Sequence, residues 1–156
     1  MRRPIKKRAP ILPDHRYNSL TVNKFINYVM QEGKKNTART IVYGVLDAIK
    51  EKQKTEDPLT VMELAFRNAA PALEVRSRRI GGATYQVPRE VRPERRQALA
   101  MRWIIEAATS KKGAPMKDKL YTEIIAASKN EGEAIKKKEN THKMAEANRA
   151  FAYFSW

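Results

Sequence analysis

Eight arginines stand between residues 76 and 102: Arg76, Arg78, Arg79, Arg89, Arg92, Arg95, Arg96 and Arg102. An arginine presents a planar fork that bonds a phosphate through two parallel hydrogen bonds, and a flat face that stacks on a base. Glu74, Glu90, Glu94 and Glu106 lie among them and would favour a surface laced with salt bridges, but they are too few to neutralise eight cations. The chemistry this stretch supports is recognition of a polyanion rather than the making or breaking of bonds.

Residues for catalysis are scarce. The only histidines are His15 and His142, far apart in the chain, and there is no cysteine to join either. A lone histidine is more often structural than a ligand or base. Gly81-Gly82 belongs to neither G-x-x-x-x-G-K-[ST] nor G-x-G-x-x-G, so no phosphate loop is present. Glu131, Glu133, Glu139 and Glu146 alternate with lysines as on a solvated helix face. An enzyme is not expected, and neither a metal nor a cofactor is implied.

The whole chain carries the same message. Lys and Arg total 32 against 17 acids, a formal charge of +15, and such self-repulsion is most simply relieved by a polyanion. Two compete, nucleic acid and an anionic membrane surface. No run approaches the roughly 20 apolar residues of a membrane span, and the basic N-terminus lacks the hydrophobic region of a secretory signal. The lack of cysteine fits a reducing cytosol. Nucleic acid is the favoured partner.

Behind the arginines must lie elements that position them. Residues 1–17 read as a basic arm, in which Arg2, Arg3, Lys6, Lys7, Arg8 and Arg16 sit among prolines that oppose helix. The arm is either an unspecific tail or a segment that orders on phosphates, with Ile11 and Leu12 as an apolar foothold. A helical domain over 18–149 follows. Val22, Phe25, Ile26, Val29 and Met30 form a first stripe at helical spacing, stopped by Gly33. Lys34 and Lys35 fill a loop, and Asn36 or Thr37 is expected to cap a second helix, whose stripe runs from Ile41 to Ile49. Asp57-Pro58 opens a third helix, which Pro71 ends.

Alternation from Leu73 to Arg79, Gly81-Gly82, and strand-forming Thr84 to Val87 predict a β-hairpin over about 73–89. Pro93 opens a fourth helix. At about 100° per residue, Arg92, Arg95, Arg96 and Arg102 fall in a sector of about 120°, with Met101, Ile104, Ile105 and Ala108 roughly opposite. The arginine face is therefore expected to serve binding, and loss of Arg95 and Arg96 to leave the fold intact. Trp103 shares the basic sector, and is expected to pack against the hairpin, with base stacking as the alternative. A fifth helix spans 116–128, and Asn130 with Glu133 resembles a capping box for a sixth. The tail 150–156 holds four aromatics, and either stacks on bases or tucks into the core. The fold class is mainly α, a six-helix single domain with a protruding β-hairpin arm and a basic N-terminal extension.

A hairpin with arginines could enter a DNA groove, but no helix-turn-helix, zipper or zinc motif accompanies it. Basic surfaces dispersed over arm, loop, hairpin and helix better suit a folded RNA touched from several directions. The remaining alternative is an adaptor whose basic faces bind acidic proteins.

The motifs sharpen this further. Gly81-Gly-Ala-Thr-Tyr-Gln-Val-Pro88, Glu90-Val-Arg-Pro-Glu-Arg-Arg96 and Ala98-Leu-Ala-Met-Arg-Trp103 together resemble the signature of the bacterial-type small-subunit ribosomal protein seven family. Leu12-Pro-Asp14, Tyr17-Asn-Ser19, Lys24-Phe-Ile-Asn27, Gly33-Lys-Lys35, Thr141-His142 and Met144-Ala-Glu-Ala-Asn148 are similar too, in order along the chain. The resemblance implies a structural constituent of the ribosome, a primary binder of small-subunit ribosomal RNA that nucleates assembly of the subunit head. It implies a place near exit-site transfer RNA and the messenger path, beside small-subunit proteins nine and eleven. Arg2, Arg3, Lys6, Lys7, Arg8, Arg16, Lys34, Lys35, Arg76, Arg78, Arg79, Arg92, Arg95, Arg96 and Arg102 would meet ribosomal RNA. Gly81, Gly82, Ala83, Thr84, Tyr85, Met144, Asn148 and Arg149 would face transfer or messenger RNA. Arg89 departs from the pattern, standing where the family often has an apolar residue.

Overall fold

The computed structural model describes residues 10–154, which form six α-helices, one two-stranded hairpin and a terminal 3-10 helix. α1 (Leu20–Val29) starts where the Ser19 side chain accepts the Val22 N–H. α2 (Lys35–Gln53) follows a tight loop and begins earlier than expected, with Lys34 at the cap and no side-chain cap from Asn36 or Thr37. α3 (Pro58–Ala69) opens as its sequence predicts: Asp57 Oδ1 accepts the Leu59 N–H at 3.0 Å, and Pro58 takes the first helical position. α4 (Pro93–Ser110), α5 (Met116–Ser128) and α6 (Glu133–Ala147) complete the body.

The stripes read from the sequence face one core. Phe25, Ile26, Leu46, Ile49, Met62, Met101, Ile104, Leu120 and Ile124 are fully enclosed. Each such side chain contributes about 1.5–3 kcal/mol of burial. α5 lies at the centre, against α2, α3 and α4.

The hairpin pairs β1 (Leu73–Ile80) with β2 (Ala83–Glu90), in a register running from Leu73 opposite Glu90 to Ile80 opposite Ala83. A two-residue connection of this kind needs positive φ at both central residues, and Gly81 (+56°) and Gly82 (+90°) supply it. The root is closed on both sides of Ala72. Its N–H donates to His142 Nε2 at 3.0 Å, and its carbonyl accepts the Val91 N–H at 3.0 Å. Along its length the hairpin lies against α6 and the 3-10 helix Arg149–Phe154.

α6 is held differently from the other helices. It buries only Ala134, Ile135 and Ala145, too little apolar surface to fix its position. Asn130 does not begin it. At φ +61° that residue ends α5, where the Asn130 N–H reaches the Ala127 carbonyl and the Glu131 N–H reaches that of Ala126, in a Schellman arrangement. The N-terminus of α6 is capped from another helix. Glu123 of α5, 0% exposed, accepts the Ala134 N–H on Oε1 at 3.0 Å, and Lys111 Nζ lies 2.7 Å from Oε2. Gly132 makes room for this carboxylate, since a Cβ there would come 2.8 Å from Oε1 at a φ of +97°. Removing this carboxylate leaves the Ala134 N–H and the helix end without an acceptor, while Lys111, a third exposed, can turn to water. Glu123→Ala is therefore expected to lower the unfolding free energy by about 2 kcal/mol. Urea denaturation would check this, and a midpoint equal to wild type would contradict the assignment.

Candidate nucleic-acid interface

The arginines between residues 76 and 102 divide into two groups. Glu74 is 8% exposed on β1, and its carboxylate accepts from Arg76 Nε at 2.8 Å and from Arg95 Nε at 2.7 Å. The first contact lies within β1, and the second ties the hairpin to α4. By contrast, the guanidinium groups of Arg79, Arg89, Arg92 and Arg96 are exposed and meet no partner among the described residues. Arg102 is exposed too, with its guanidinium carbon 5.5 Å from the centre of the Tyr28 ring. Arg78 is half-buried beside the 3-10 helix, its Nη1 3.5 Å from the Phe154 carbonyl oxygen. The division of α4 into an apolar face and a guanidinium face is present, but Arg95 belongs to the scaffold as well as to the surface.

Trp103 corrects another expectation. It is 8% exposed within the core, and its nearest cation is Lys137 of α6, 5.9 Å from the ring centre. α4 is flanked by α5 on one side and α6 on another, so its buried arc is wider than the apolar half suggests. The tryptophan joins α4 to α6 rather than to the hairpin.

Tyr85 makes the hairpin's aromatic contacts instead. Its ring lies 5.2 Å from that of Phe151 and 5.8 Å from that of Phe154. The described part of the aromatic tail thus packs on the hairpin instead of entering the core, while Tyr153 stays 88% exposed. Gly81, Gly82, Ala83 and Thr84 form an open tip. At the other end of this surface Met144 is 53% exposed, Asn148 turns back to the Met144 carbonyl, and Arg149 lies 3.3 Å from Glu146.

Of the arm cations, Arg2, Arg3, Lys6, Lys7 and Arg8 lie outside the described residues, as does Trp156. Ile11 and Leu12 are exposed and give no apolar foothold. The fastening is polar. Asp14 accepts the Tyr43 hydroxyl at 2.8 Å and the N–H groups of Arg16 and Tyr17, an Asx-type turn that follows Pro13. Burial alone would raise the Asp14 pKa, but these hydrogen bonds outweigh it and hold the carboxyl below its ordinary value. Arg16 grips Asp47 through both terminal nitrogens at 3.0 and 2.8 Å, between the rings of Tyr17 and Tyr43. Lys34 pairs with Glu32 in the open, and Lys35 is half-buried. Arg67 of α3, which the sequence did not single out, is exposed, and its guanidinium has no partner among the described residues. Its signal was a lone cation in the last turn of α3.

A helical body that presents a basic hairpin and a guanidinium-faced helix has the architecture of a polyanion-binding protein. Residues 1–149 match the family described as Ribosomal protein S7p/S5e. The chain is 60% identical to the small ribosomal subunit protein uS7 of Thermotoga neapolitana, over 100% of both chains. It is 56% identical to that of Phenylobacterium zucineum, over 99% of this chain and 98% of the relative. With the protein of the same name from Thermotoga maritima the identity is 58% over both full lengths. The chain belongs to the ribosomal protein S7p/S5e family, a structural and non-enzymatic one. The resemblance read from its motifs is borne out.

Two predictions follow from the polar contacts. Arg95→Ala leaves a buried carboxylate half-paired and is expected to lower stability by about 1–2 kcal/mol, whereas Arg96→Ala changes it little. Thermal melting of the two variants side by side would decide, and equal midpoints would count against the Glu74 contact. The second concerns His142, whose Nε2 must be unprotonated to accept from Ala72. Burial, with Lys138 adding to it, lowers its pKa below the ordinary 6.5. The unfolded chain then takes up the proton first. The stability from this contact is full above about pH 6.5 and is lost as the pH falls through the lowered folded value. Melting temperature should therefore drop as the pH falls below about 6.5, and drop less in His142→Gln.

Proposed function

We propose that this protein is a primary ribosomal RNA-binding protein of the small subunit, in a ribosome of bacterial type, and that it nucleates assembly of the subunit head. The observation that carries the reading is the set of exposed guanidinium groups of Arg79, Arg89, Arg92 and Arg96, without partners among the described residues and spread over the hairpin and the start of α4. Family membership gives that surface its polyanion. In this reading the arm cations, Lys34, Lys35 and the arginine face lie on ribosomal RNA. The hairpin tip (Gly81 to Tyr85) and the end of α6 (Met144, Asn148, Arg149) face exit-site transfer RNA and the messenger path. Small-subunit proteins nine and eleven are the protein neighbours.

Rigid helices supply the geometry and the arginines supply bidentate contacts to phosphates placed by a folded RNA. Arg16, Arg76 and Arg95 have partners within the protein, so each would reach RNA only with the donors its carboxylate leaves over. The free guanidinium groups therefore carry most of the electrostatic attraction.

Binding of the full chain to a folded fragment of small-subunit ribosomal RNA, and to duplex DNA of equal length, tests this across a salt series. Replacing Arg79, Arg89 and Arg92 with alanine is expected to weaken RNA binding and to reduce the salt slope by roughly one per residue. Equal affinity for duplex DNA with the same slope would sink the specific-RNA reading.

A further inference from the structure

A groove of about 680 Å³ opens between α3, α4 and α6, beside the hairpin root. That volume lies within the roughly 300–1,000 Å³ of small-molecule sites. Its lining includes the apolar side chains of Phe66, which is buried, and Pro93. Arg67 of α3 and Arg96 of α4 stand in its walls, and neither guanidinium has a partner among the described residues. Lys138 also lines it, but its ammonium is engaged by the Asn68 carbonyl at 2.7 Å. His142 adds a donor. Because its Nε2 accepts from Ala72, the neutral ring carries its proton on Nδ1, which has no partner among the described residues.

We infer that this groove receives an unstacked nucleotide of the bound RNA, with its base over the apolar lining and its phosphate between Arg67 and Arg96. Three features select that occupant. Two guanidinium groups from different helices line this one groove, so a phosphate held there can accept from both, and their planes are themselves stacking platforms for a base. Glu63 and Glu94 also line the groove, and as acceptors they suit the amino and imino groups of a base edge while disfavouring an acidic peptide. Arg96 belongs to both the groove and the arginine face, so a strand lying on α4 can turn one residue inward without leaving the surface. The inference rests on the RNA-binding reading above and names a site within it.

The test uses the full chain and the same folded ribosomal RNA fragment, with ultraviolet crosslinking and peptide mapping beside affinity. Arg67→Gln removes one phosphate contact, Thr21→Trp fills the rim, and Arg79→Gln on the hairpin serves as a control outside the groove. Wild type is expected to give nucleotide adducts within residues 63–72 or 138–142. Arg67→Gln should weaken binding about tenfold. Thr21→Trp should abolish those adducts, while Arg79→Gln weakens binding and keeps them. Wild-type affinity in Arg67→Gln together with no adducts in the groove overturns the site, and leaves the RNA-binding reading standing if Arg79→Gln still weakens. No RNA binding by wild type overturns both.

Discussion

Glu123 is the constraint on which the arrangement of this protein turns. A carboxylate with no exposure to water is destabilising by several kcal/mol unless its oxygens are satisfied. Here Oε1 accepts the Ala134 N–H in the first turn of α6, and Oε2, which has no hydrogen bond among the described residues, is compensated by the charge of Lys111 after α4 at 2.7 Å. The negative charge also sits at the positive end of the helix dipole, where it is most favourable. α6 is thereby fixed at one end by electrostatics rather than by an apolar stripe. Further along, Lys137 meets Glu106 of α4, Lys138 meets Asn68 of α3, and His142 meets Ala72 at the hairpin root. One weakly amphipathic helix is bonded in this way to three helices and to the base of the arm, so the orientation of the hairpin follows from where α6 is held.

The same logic sorts the cations. A count of basic residues treats them alike, but the structure assigns some to its own integrity. Arg16 holds the segment before α1 to α2, Arg76 and Arg95 neutralise Glu74, and Lys111 neutralises Glu123. Among the described residues, the arginines left without partners are Arg67, Arg79, Arg89, Arg92 and Arg96, from the end of α3 through the hairpin to the start of α4. A guanidinium already paired brings less free charge to a phosphate and gives up more on leaving its partner. The unpaired ones are therefore the better guide to the binding surface.

Much of this was readable beforehand because it depends on neighbours in the chain. Apolar residues at steps of three and four announced the helices, Asp57-Pro58 announced a helix start, and Gly81-Gly82 between alternating runs announced the hairpin. What escaped was contact between residues far apart. Nothing local marks Glu123 as a cap for a helix starting ten positions later, or His142 as an acceptor for Ala72. Helical angle placed Trp103 with the arginines, but only the presence of α6 makes that side of α4 interior. Adjacent Arg95 and Arg96 looked equivalent and are not, since only one reaches Glu74.

The contact of Tyr85 with Phe151 and Phe154 has a consequence in time. A two-stranded ribbon is marginal by itself in water, and these rings brace the hairpin from the side. The brace is built late. Phe154 lies well beyond Glu90, the last residue of the hairpin, so at ordinary rates of translation the complete hairpin emerges roughly 3–13 s ahead of it. During that interval the strands can pair but nothing supports their outer half. The hairpin's outer half gains this brace only when synthesis has passed α6.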